Sequence, residues 1–125
     1  MPINLSESND GSVLEVVASG TLVHDDYRMF EAKFAELLQK HPKLRVLFEM
    51  VNFHGWDAVG LWDDLKFDFK HTDDVERFAM VGDKHWEKQI SAVGKFLTSA
   101  EVRYFDLSQL DEARRWVSEG VTVGT

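Results

Sequence analysis

Four side chains able to share chemistry stand where apolar runs give way to polar turns: His54 and Asp57 in NFHGWDA, and Asp83 and His85 in VGDKHW. Two imidazoles and two carboxylates gathered at one sheet edge could hold a divalent metal or move a proton. The spacing completes neither site. His24, His41, His54, His71 and His85 form no HxH or HExxH pattern, and four of the five fall in loops or at helix ends. The 125 residues include no cysteine, which excludes disulfides, thiolate zinc sites and a cysteine nucleophile. Glu49 with Asp57 would be a carboxylate pair without a defined geometry, and Gly82-Asp83-Lys84 lacks the Walker spacing of a phosphate loop. The expectation is a non-enzymatic protein with no catalytic residue, no metal and no cofactor.

Composition narrows the partners. A formal charge of -8 opposes attraction to phosphate backbones, so nucleic acid is not expected as a partner. The opening MPINLSESNDG has no basic segment followed by an apolar run, and no window approaches the length of a membrane span. A cytoplasmic location is expected, with membrane association limited to peripheral contact. At 44% hydrophobic residues, a chain of this size can bury its own core as one domain over residues 1–125.

The elements that must position these side chains follow from periodicity. Ile3 to Ser8 and Val13 to Ser19 flank Asn9-Asp10-Gly11, a hairpin signal, and Gly20 ends the second strand. From His24 the spacing turns helical through Tyr27, Phe30, Phe34, Leu37 and Leu38, until Pro42. Val46, Phe48 and Met50 alternate as a strand, leading to a loop with Gly55 and Trp56. Asp57 can then cap a second helix bearing Ala58, Leu61, Trp62, Leu65 and Phe69. Arg77 to Val81 is a strand. Asp83 can cap a third helix with Trp86, Ile90, Val93 and Leu97, and Val102 to Phe105 is the last strand. Ser108 and Asp111 resemble a capping box for a final helix through Leu110, Ala113, Trp116 and Val117. The order β-β-α-β-α-β-α-β-α predicts an α/β fold: a mostly parallel five-stranded sheet with an antiparallel N-terminal hairpin strand and about four helices. Glu15, Glu49 and Arg103 lie opposite the more apolar strand positions, so the helices are expected mainly on one face, with the other partly wet or covered by a second subunit.

The runs VLFEMVNFHGWDAVGLWDDLKF, RFAMVGDKHW, AEVRYF and DEARRWV together resemble the SpoIIAA-like family of small bacterial proteins, relatives of the STAS domain and, more distantly, of the CRAL-TRIO lipid carriers. The likeness extends from Leu14 to Glu119. It implies successive β-α units with helices mainly on one side. STAS antagonists of anti-sigma factors are switched by phosphorylation of a serine before the second helix, whereas no Ser or Thr occurs here between Asn52 and His71. A phosphate-independent interaction module is what remains of that role. The CRAL-TRIO likeness implies an apolar ligand beneath mobile helices.

The aromatic content favours the second implication. With Leu61, Trp62, Leu65 and Phe69 facing a sheet, Phe67 lies roughly 200° from Leu65 around a regular helix, out in water. Leu65 to Lys70 also alternates with period two, so helical and extended conformations compete. Lys84, Lys88 and Lys95 beside Trp86, Ile90, Phe96 and Leu97 make residues 84–97 a basic amphipathic segment suited to peripheral membrane contact. The plain alternative is that these rings are core and these lysines a solvated face. The expected ligand is an apolar or amphipathic small molecule, lipid-like, lined by Trp56, Leu61, Trp62, Leu65, Phe67, Phe69, Trp86, Ile90 and Val93. Filling the site would hold the second and third helices apart, because an empty apolar cavity forfeits packing. Self-association is a further expected interaction.

Overall fold

Five apolar-rich segments, the first two joined by a tight turn, produce the sheet seen in a computed structural model, which describes residues 3–8, 11–56 and 72–119. Strand β1 (Ile3–Ser8) pairs antiparallel with β2 (Val13–Leu22) across a turn in which the Gly11 N–H donates to the Ser8 carbonyl at 3.1 Å. Gly11 has φ +87°, a conformation that costs glycine little and other residues more. Strands β3 (Leu44–Trp56), β4 (Val75–Gly82) and β5 (Glu101–Asp106) follow in parallel, giving the spatial order β1-β2-β3-β4-β5. The expected mixed sheet with one antiparallel strand is therefore present.

Helices α1 (His24–Leu38), α2 (Gln89–Phe96) and α3 (Leu110–Ser118) complete the described elements. Helix α1 packs Tyr27, Phe34 and Leu37 on the side of the sheet that holds Leu14, Val16, Val46 and Met50, and Ile90 and Val93 of α2 pack on that same side. Helix α3 lies on the opposite side, where Ala113 and Val117 meet Val13, Leu47, Ala79, Val81 and Phe105. Two of the three described helices thus share one face. Glu15, Glu49 and Arg103 fall on the α3 side, in register with Leu47, Val81 and Ala79, as their charge suggested. The second helix expected over residues 58–69, its cap Asp57, and Gly120 at the end of the last helix lie outside the described residues.

Two arginines hold α3 by its carbonyl end. Arg45 Nη1 donates to the Val117 carbonyl at 3.0 Å and to the Glu119 carbonyl, while its Nε donates to Glu76 at 2.9 Å. Arg77 Nη1 donates to the Trp116 carbonyl at 2.7 Å, and its guanidinium stands 5.0 Å from the Trp116 ring centre. The last carbonyls of a helix lack intrahelical donors and carry partial negative charge, so cations there answer both needs.

Three expected boundaries move. β2 continues two residues past Gly20, and β3 does not stop at Met50 but runs on to Trp56. The final cap is Asp106 rather than Ser108. Its carboxylate accepts from the Ser108 N–H at 3.0 Å and the Ser108 hydroxyl at 2.7 Å, and a short 3-10 turn, Leu107–Gln109, precedes α3. Those two Ser108 donors, with Lys84 adding a weaker attraction, hold the Asp106 carboxyl below its usual range.

Candidate ligand-binding site

The far end of β3 departs from a regular strand, and the departure builds the site. Between Met50 and Phe53 the pairing with β2 slips by one residue, and Asn52, within that slip, has φ +49°. An inserted residue reverses the in-out alternation beyond it, here as far as Phe53, after which a second slip between Phe53 and Gly55 restores it. Phe48 and Phe53, five apart and hence on opposite faces of a regular strand, therefore come to the same side, with ring centres 6.2 Å apart at 83°. Phe48 also stacks on Phe78 of β4 at 6.2 Å and 23°. Phe53 meets Trp86 at 5.0 Å. The four rings form a row along the α1 and α2 side of the central strands, and Phe48, Phe78 and Trp86 are each only half-buried.

Trp86 is placed by the turn after β4. The Asp83 carboxylate accepts from the His85 N–H at 2.9 Å and starts a 3-10 turn, Lys84–Trp86. The Tyr104 hydroxyl donates to the Asp83 carbonyl and ties that turn to β5. Burial, aided by the negative charges of Asp83, Glu87 and Asp106, pushes the Tyr104 phenol up to about 12, so it stays a donor throughout the useful pH range. Gly55, with φ +112°, lets the Trp86 ring come down on β3; a Cβ there would stand 3.4 Å from the indole Cη2. Gly82 is equally constrained, because a Cβ on it would lie 2.5 Å from Met50 Cε and 3.1 Å from the Tyr104 oxygen.

Trp86, Ile90 and Val93, expected in the lining, do pack together against the main core. Trp56 closes β3, but its side chain, like all of Leu61, Trp62, Leu65, Phe67 and Phe69, lies outside the described set. The continuous helix expected from Asp83 to Leu97 is instead a 3-10 turn followed by α2. Trp86 turns toward Phe53, leaving Lys84, Lys88 and Lys95 exposed. Phe48, Phe53 and Phe78 were missing from the expected lining. Their signal is weak: an asparagine and a glycine near the end of a largely apolar strand.

Of the four polar side chains, three lie among the described residues. His54 is exposed beyond the slip, His85 stands edge-on to Trp86 at 5.1 Å, Asp83 is committed to its cap, and Asp57 lies outside the described residues. Among the described residues no group of three or more His, Asp or Glu side chains is disposed to hold a metal. No helix among them is long and apolar enough to cross a membrane.

Comparison with known proteins agrees with this architecture. A solved structure, that of an uncharacterized protein of the DUF3478 family with a SpoIIAA-like fold from Shewanella loihica PV-4, superposes with a TM-score of 0.70. The two share 26% identity over 92% of this chain and 91% of the other. No curated protein matches. The SpoIIAA-like family model matches residues 13–118, which takes in β2 through α3, and the chain belongs to the SpoIIAA-like family.

Proposed function

We propose that the chain is a non-enzymatic binding module for an apolar or amphipathic small molecule, seated on the row formed by Phe78, Phe48, Phe53 and Trp86 with Ile90 and Val93 beside it. The observation that carries this reading is the partial exposure of Phe48, Phe78 and Trp86 on the side of the sheet where Leu14, Val46 and Phe34 are sealed. Covering the part of such a ring that water still reaches contributes a fraction of the roughly 1.5 to 3 kcal/mol of full burial, so it takes several together to favour an apolar occupant. The row also ends at the carboxyl edge of parallel strands, where open α/β sheets tend to place ligands. Exposed Lys84 and Lys88 at that edge suit an amphipathic molecule or peripheral contact with an anionic surface.

Titration with a fluorescent fatty-acid analogue tests the proposal. Saturable binding is expected, weakened at least about tenfold by Phe48→Asp and by Trp86→Ala, and the absence of saturable binding to the unmodified protein would refute it. The alternative is a STAS-like protein-interaction module working without a phosphoacceptor. It draws support from the α3 side, where Arg114 reaches only as far as Glu15 at 3.5 Å and Val17, Glu49 and Val51 beyond it keep solvent exposure. A protein that ignores the probe yet loses a partner on Glu49→Arg would favour it.

A further inference from the structure

The two margins of the sheet differ in how they are defended. Exposed strand edges invite pairing with other chains, and natural sheets discourage it with charge, proline or bulges. β5 carries Glu101, Arg103 and Asp106 among its six residues, with Glu101 and Arg103 exposed. β1 reads Ile-Asn-Leu-Ser-Glu-Ser, in regular register with β2 and without lysine, proline or bulge. Its one charge, Glu7, is already engaged by Lys33 at 3.0 Å. Among the described residues, no strand pairs with its outer side.

The geometry points to β1 as an interface for a second copy of this chain, the two strands pairing antiparallel about a two-fold axis at Leu5. Facing residues must share a side of the sheet. An axis at Leu5 satisfies this: Leu5 meets its own counterpart, Ile3 meets the second copy's Glu7, and Asn4 meets the second copy's Ser6. No like charges are opposed. The same patch serves both copies, as a closed dimer requires.

Helix α1 supplies a separate observation. It returns from the end of β2 to the start of β3, so it runs opposite to β2 and in the direction of β1. The contact between Lys33 and Glu7 shows which stripe of α1 leans toward β1. Met29, one turn before Lys33 on that stripe, falls beside Leu5, two residues before Glu7. Met29 is 38% exposed, one of few large apolar side chains left in solvent among the described residues, while Leu5 is half-buried. The strand register allows an axis on any residue of β1, and the apolar surface gathered at Leu5 singles out that one, where pairing would cover it from both copies.

The absence of cysteine makes the test direct. Leu5→Cys places one thiol on the axis, and facing residues of an antiparallel pair are about 4.5 to 5.5 Å apart at Cα, within disulfide reach. Under oxidised glutathione, Leu5→Cys should form a covalent dimer much faster than Leu107→Cys, an exposed control after β5. Light scattering across a roughly hundredfold concentration range should show a monomer-dimer transition, moved at least about tenfold toward higher concentration by the surface change Met29→Lys. Circular dichroism checks that each variant folds. A protein that stays monomeric throughout, a transition indifferent to Met29→Lys, or equal oxidation rates for the two cysteines would each overturn the inference. None of these readouts involves the apolar probe.

Discussion

The two faces of the sheet are held by different physics. On the α1 and α2 side, fully buried Phe34, Leu14 and Val46 grade into the half-buried row of Phe48, Phe78 and Trp86, and cohesion comes from apolar area. On the other side, α3 rests on buried Ala113 and Val117 with half-buried Leu110 and Trp116 beside them, and directional polar contacts hold its ends: Asp106 before it, Arg45 and Arg77 at its carbonyl end. A face stabilised by area can adjust its covering at modest cost. A face pinned by directional bonds cannot move by small steps.

The largest effect should come from the sealed part of the first face. Phe34→Ala removes a fully buried ring and should cost about 3 to 5 kcal/mol in urea unfolding, whereas Phe48→Ala, at a half-buried position, should cost roughly half as much. Equal losses would mean that the row is ordinary core, which would also weaken the ligand proposal. Next in size is Arg45→Ala, which strips the Val117 and Glu119 carbonyls of a donor and should cost about 1 to 3 kcal/mol. Hydrogen exchange should place the loss mainly in α3. Uniform loosening of the protein would contradict the idea that polar contacts anchor that helix separately.

The smallest effect is pH-dependent. The Asp106 carboxyl is held below its ordinary 3.8 by Ser108, so its contribution is complete above that value and fades as the pH falls through the lowered one. Asp106→Asn should therefore differ most from the unmodified protein near neutrality, and the two urea curves should converge in acid. A gap that persists there would assign the difference to something other than the charge.

How much of this was legible in the chain depended on whether the signal was periodic. Alternation in Val46-Leu47-Phe48-Glu49-Met50 and helical spacing from Tyr27 to Leu38 are repeated patterns, and the strand order followed from them together with the handedness of crossovers. The charges at Glu15, Glu49 and Arg103 even identified the barer face. What escaped were single-residue events. One inserted residue near Asn52 turned Phe53 to the side of Phe48, and no window average registers it. The amphipathic pattern from Lys84 to Leu97 looked continuous, yet Asp83 closes a 3-10 turn first. The arginine clamp was invisible because Arg45 and Val117 are 72 positions apart.

Beyond Glu49, the third strand outlasts its neighbour: β4 pairs with it only as far as Val81, while β2 accompanies it to Trp56. In the middle of a five-stranded sheet the chain thus has, among the described residues, a length of backbone zipped along one side only. A central strand has become a rim. Amides along that stretch should trade their protons with solvent sooner than those of Val46 or Phe48, despite belonging to the same strand.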